Sequence, residues 1–137
     1  MKLEETYEFM KKLEVVSMAT LDKDQPRVRI MALISHDNKF WCCTITSRPK
    51  MEQFKKNSNF EFCSIIKKND KYGSIRASGN AKIIEDLQIK KKVSKAIPFF
   101  KGYWSDYTDP QFSLIRLDIS KIKVQSPYDK QFYTFNL

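Results

Sequence analysis

The spacing of apolar and polar positions changes several times along the chain, and each change marks an element. Leu3, Tyr7, Met10 and Leu13 recur at helical spacing, with Glu4, Glu5 and Glu8 near the start, where the helix dipole favours anions. This predicts a short amphipathic helix over residues 2–13. Residues 15–21 are rich in β-branched and apolar side chains and run into the polar turn 22–26. From 27 to 35 the period is two. Val28, Ile30, Ala32 and Ile34 share one face of a strand, and Arg27, Arg29, Met31 and Leu33 share the other. Residues 35–39 read as a tight polar turn, and 40–46 resume the strand pattern. Three strands joined by short turns make an antiparallel meander.

Pro49 suits the first turn of a helix capped by Ser47 or a neighbour, with Met51 and Phe54 on its buried side and an end at 57–59. Residues 60–67 form another strand. In 72–84, Ile75, Ala77, Gly79, Ala81 and Ile83 alternate with Ser74, Arg76, Ser78, Asn80 and Lys82, a half-buried strand. Ile89, Val93, Ala96 and Ile97 line one side of a helix over 86–97, which Pro98 ends. An aromatic-rich loop or short helix follows over 99–107, then strands at 112–124 and 130–135. The chain contains no internal repeat, linker or low-complexity stretch. The elements predict a mainly β domain spanning 1–137. Its six or seven antiparallel strands, with two or three peripheral helices, would close into a barrel or partial barrel that removes their edges.

Composition narrows the class. With 137 residues, 42% of them hydrophobic, and only 3 Gly and 5 Pro, the chain can bury a core without disulfides or metals. No apolar run approaches the ~20 residues of a membrane span, and the charged N-terminus does not read as a signal peptide, so a cytoplasmic location is expected. Cys42, Cys43 and Cys63 fall in apolar stretches without metal-ligand spacing and read as reduced core thiols. A single histidine, His36 in a polar turn, argues against a zinc site. The net charge of +9 is unevenly placed: residues 48–101 hold 14 of the 25 Lys+Arg but only 5 of the 16 Asp+Glu. Such a field attracts phosphate esters, nucleic acid or acidic surfaces.

The chemistry concentrates in 26–57. A dianionic phosphate calls for two or three cations with hydroxyl or backbone N–H donors, because charge-assisted hydrogen bonds are the strong ones. Arg29, Arg48, Lys50, Thr46 and Ser47 supply that set beside a predicted helix N-terminus.

The order Pro-Arg-Val-Arg, a strand ending in Thr44, Lys50 six residues later, Gln-Phe-Lys-Lys-Asn, and then Ile-Arg-Ala-Ser-Gly-Asn-Ala81 resembles the pyridoxamine 5′-phosphate oxidase-like FMN-binding split-barrel proteins. The likeness covers residues ~5–85 best and rests on order and spacing rather than on one motif. It implies a homodimer of split β-barrels with FMN at the subunit interface. It also implies roles for residues. Arg29 and Lys50 match the family's phosphate ligands, with Ser47 and Arg48 in the loop that supplies further donors. Ile30 and Met31 flank the flavin ring, and Cys43 and Thr44 lie near the ring and ribityl chain.

The family's vitamin B6 enzyme has a further lysine late in the arginine strand, where this chain has Leu33 and Ile34. It also has a C-terminal Arg/His pair, whereas here no arginine follows Arg116 and no histidine follows His36. Pro49 and Ser58 also depart from what relatives often carry. The resemblance therefore implies a flavin-dependent oxidoreductase of a small molecule other than pyridoxamine phosphate, with no evident catalytic acid or base. A flavin-storing protein, or a relative that takes deazaflavin or haem, is an alternative. The aromatic group Phe99, Phe100, Tyr103, Trp104 and Tyr107 reads as core or dimer packing, or as a wall near the partner's flavin. Arg76 reads as a salt-bridge partner or a phosphate contact across the interface. A basic barrel binding single-stranded nucleic acid is the reading from another class. Inward-alternating aromatics and lysines clustered on helices argue against it.

Overall fold

In the computed structural model, which describes residues 1–137, the alternation over 27–35 is not one strand but two. The chain runs α1 (Leu3–Lys11), β1 (Val15–Asp22), β2 (Gln25–Ala32), β3 (Ile34–His36), β4 (Lys39–Ile45), α2 (Pro49–Lys56), β5 (Asn59–Lys68), β6 (Lys71–Ile84), α3 (Leu87–Ser94), a 3₁₀ turn (Phe100–Gly102), β7 (Phe112–Gln125) and β8 (Phe132–Asn136). The strands form one mainly antiparallel sheet in the order β2-β1-β5-β6-β7-β4-β3, and β8 also pairs with β7.

The two ends of that path, β2 and β3, are separated in sequence by Leu33 alone. Because one residue bridges them, the sheet must curl until its ends meet. The strand leaves β1 at the Val15↔Ala32 pair and joins β4 at Ile34↔Trp41. Between them Leu33 donates its N–H to the Glu14 carbonyl at 3.0 Å. The β3–β4 turn has positive φ at both central residues, Asp37 and Asn38. Two-residue hairpins require that backbone, and Asp and Asn tolerate it.

Alternation along the strands builds two cores. Met18, Met31, Phe40, Cys42, Phe62, Ile75 and Ile115 pack inside the curl, where α1 adds Met10. On the opposite face of β4 and β7, Trp41, Phe112 and Leu114 pack with Val93 of α3 and with Phe100 and Trp104. Both faces of β4 are covered, which explains why 40–45 reads as a nearly unbroken apolar run. The outer faces of β1, β2 and β5 have no such cover: Val15, Val28, Ile30 and Ile65 are all more than half exposed.

Apart from the split at Leu33, which replaces the expected three-strand meander with two hairpins, the sequence reading holds for the major elements, with α3 shorter than expected, since Ala96 and Ile97 fall beyond it. Cys63, expected in the core, is exposed, whereas Cys42 is fully buried. Arg76 pairs with Glu61 at 3.1 Å on the neighbouring strand. No helix is long and apolar enough to cross a membrane.

Pairing between β6 and β7 slips at Ser78/Gly79, where Ile119 and Lys121 are partnered but Ser120 is skipped. The extra residue resets the parity of β7, so that Ile115 and Leu117 before it and Ile122 and Val124 after it all face the inner core. Gly79 makes the slip possible, because a Cβ there would lie 1.9 Å from the Asp118 carbonyl oxygen. Gly79→Ala is therefore expected to destabilise the fold by about 1–3 kcal/mol in chemical denaturation. Gly102→Ala, whose Cβ would meet nothing within 4 Å, should be close to neutral.

Candidate functional site

The inward parity of β2 turns Arg29 toward α2, and neutral oxygens hold it there. Nη1 donates to Thr20 Oγ1 at 2.7 Å and to the Met18 carbonyl at 3.3 Å, and Nη2 donates to Gln53 Oε1 at 2.7 Å. Thr20 Oγ1 in turn donates to the same Gln53 oxygen at 2.6 Å. Thr20 and Gln53 are both buried. The network ties β1, β2 and α2 together and leaves the guanidinium with its full charge.

Lys50, one turn before Gln53 on α2, is half-buried. Burial holds its ammonium below the ordinary lysine range, and the positive charges of Arg29 and Arg48 push the same way. Burial also lowers the Arg29 guanidinium. Arg48, the neighbour of Ser47, sits at the cap position of α2, and no side chain caps the helix. None of the ion pairs in the molecule includes Arg29, Arg48 or Lys50. Three cations thus share one neighbourhood without a carboxylate.

Beside them lies a groove of about 430 Å³. Its lining includes Ile30, Met31, Cys43, Thr44, Arg48 and Lys50 from the sequence-derived set. Burial pushes the Cys43 thiol up to about 12, so at neutral pH it stays protonated. Arg29 stands behind the groove rather than in its lining. Thr46 and Ser47 do not join it. The Thr46 hydroxyl bonds the Pro110 carbonyl and Ser113 Oγ, both at 2.8 Å, and the Ser47 N–H donates to Gln111 Oε1 at 3.2 Å. These two residues anchor the loop to the start of β7.

The lining also includes Ala32, Ile45, Phe99, Tyr103 and Trp104. The aromatic three were noted in the sequence, but only the packing of the 3₁₀ segment over β4 reveals that they wall this chain's own groove. Gln53 and Thr20 were missed. Their signal was faint: a glutamine one turn after Lys50 on the side of α2 that also carries Met51 and Phe54. His36 ends β3, its carbonyl accepting from Trp41 Nε1 at 3.1 Å, and it takes no part in the groove.

Over residues 3–126 the sequence matches the family model described as pyridoxamine 5′-phosphate oxidase. No curated protein matches it. Among solved structures, the fold is similar to a NimC/NimA family protein from Clostridium acetobutylicum. That pair has a TM-score of 0.82 and 24% identity, over 98% of this chain and 92% of that one. A heme binding protein from Mycobacterium smegmatis gives 0.81 at 13% identity, over 97% of this chain and 57% of that one. A Listeria innocua protein named for pyridoxamine 5′-phosphate oxidase gives 0.73 at 17%, over 88% and 95%. At these identities the structural likeness speaks for the fold.

Clustered like charges oppose folding until an anion joins them. Lys50→Met should therefore raise the melting temperature of the ligand-free protein. Inorganic phosphate should raise the wild-type melting temperature and raise that of the variant less. Thermal melts with and without phosphate check both effects, and a variant that melts lower without phosphate contradicts the repulsive cluster.

Proposed function

The chain belongs to the pyridoxamine 5′-phosphate oxidase family, and on that footing we propose that it binds FMN as a flavin-dependent oxidoreductase acting on a small molecule. The observation that carries this reading is the cation cluster of Arg29, Arg48 and Lys50, free of ion pairs, beside a groove whose strand floor is mostly apolar. A phosphate monoester with a flat ring system matches that division. Lys50 and Arg48 hold the phosphate from the groove wall, and Arg29 supports it from behind. The strand segments at Ile30–Ala32 and Cys43–Ile45 line the groove and would hold the rest of the bound flavin. The bound flavin supplies the electron-transfer chemistry, and the protein supplies binding, orientation and shielding.

Haem is the competing cofactor, since one structural neighbour is a heme binding protein. Against haem, no histidine lines the groove. A cytoplasmic setting fits the three free cysteines.

The same reading makes the protein a homodimer. Val15, Ile30, Ile65 and Phe132, each more than half exposed, line one shallow groove of about 470 Å³ on the outer face of the sheet. Contiguous apolar exposure of this kind marks an interaction surface. Ile30 borders both this face and the cofactor groove, so the groove opens where a second copy would sit.

In titrations followed by flavin fluorescence, FMN is expected to bind the wild type. Lys50→Met should weaken it about tenfold or more, the size of one charge-assisted hydrogen bond, and leave riboflavin affinity unchanged. Failure to bind FMN, or a preference for haem, would sink the assignment. Ile65→Lys, outside the lining of the cofactor groove, is expected to convert the protein from dimer to monomer in analytical ultracentrifugation and to weaken FMN binding. A wild type that sediments as a monomer refutes the dimer.

A further inference from the structure

We infer that Phe99 and Tyr103 form a binding wall for a flat, uncharged aromatic ligand that shares the groove with the flavin. The inference rests on the FMN reading above and assigns the class of the second ligand.

The wall is exposed but firmly backed. Phe100 and Trp104, on the same short segment, are buried in the second core. Their ring centroids lie 5.0 and 4.9 Å from that of Phe112. Trp104 Nε1 donates to the Gln111 carbonyl at 2.8 Å, which fixes the indole. On this base stand Phe99 and Tyr103, packed edge to face at 5.9 Å, with 36% and 60% of their surface open. Two large rings held rigidly at the side of a groove lose little conformational freedom when a third ring stacks on them.

Charge sets the class of that ring. Arg48 and Lys50 are the groove's only cations, and with Arg29 they match a single phosphate. No cation of the groove remains for a second anion. The nearest lysine in sequence, Lys101, turns away and donates to the Ser105 carbonyl at 2.8 Å. It lines a different cavity with Lys91 and Lys95. Lys90 is likewise taken, its Nζ donating to the Phe112 carbonyl at 2.9 Å. The ligand facing this wall therefore carries no phosphate, and its affinity comes from stacking and burial of apolar surface.

The test is equilibrium dialysis of FMN-loaded protein against phenazine, a flat uncharged ring system, and against pyridoxamine 5′-phosphate. Phenazine is expected to bind the wild type more tightly than pyridoxamine 5′-phosphate. The double variant F99A/Y103A should lose about tenfold or more of phenazine affinity, while FMN affinity and dimer mass stay unchanged. Tyr103→Phe should retain phenazine binding. Tighter binding of pyridoxamine 5′-phosphate, or no binding of phenazine to FMN-loaded wild type, overturns the inference. So does a double variant that loses FMN equally or falls apart into monomers, because the wall would then belong to the flavin or to the subunit contact. If FMN itself does not bind, the cofactor reading fails, and dialysis of the flavin-free protein decides the wall separately. Phenazine held by the wild type and lost by the double variant supports the wall, and phenazine held by neither overturns it.

Discussion

Arg29 is held by oxygens that carry no charge, and the chemistry of the site follows from that choice of partners. A carboxylate in place of Gln53 or Thr20 would fix the guanidinium as firmly but would also neutralise it. With a threonine hydroxyl, a glutamine amide and a backbone carbonyl as acceptors, the side chain is rigid and still fully cationic. The same three bonds join β1, β2 and α2, so the geometry that places Lys50 next to Arg29 is the geometry that holds one corner of the sheet. Structure and the site's positive charge therefore share one set of atoms.

That arrangement sits at the border of two unlike surfaces. Inward, the curled sheet buries a continuous apolar core. Outward, β1, β2 and β5 leave valine and isoleucine in water, while β4 and β7 are covered by α3 and the aromatic segment. The groove lies at the edge where covered and uncovered regions meet. Its floor comes from strands common to both, its cations from the start of α2 and its aromatic wall from the covering segment.

Much of the fold was legible because its periodicity is clean. The alternation in 72–84 and the run in 112–124 identify β6 and β7, and the polar turns fix the hairpins. The break at Leu33 was not legible, since alternation continues across it and only the change of pairing partner reveals it. Nor could alternation tell which face of β2 points inward. Arginine suggests solvent and isoleucine suggests core, yet Arg29 is drawn in by its hydrogen bonds and Ile30 is left outside. Arg48 and Lys50 were legible as cations beside a predicted helix start, and Cys43 and Thr44 came only with the family resemblance; the structure brings all four to one groove. Thr46 and Ser47 lie outside the groove lining, and the sequence could not show it because their partners, Pro110, Gln111 and Ser113, lie more than sixty residues away.

The distance from Thr46 to Ser113 also bears on how the molecule comes together. The members of the cation cluster lie within one short stretch of the chain, which leaves the ribosome before β7 does. Their floor strand, β4, pairs locally with β3 but gains its second neighbour only when β7 exists, in the register Thr44↔Ser113. Until then the three cations have no groove beside them and the loop before α2 has nothing to anchor it. Contacts this remote in sequence slow folding, because a long loop must close before they form. The part of the molecule whose composition is written most compactly is thus assembled among the last, and a nascent chain holds the makings of the site well before it can hold a ligand.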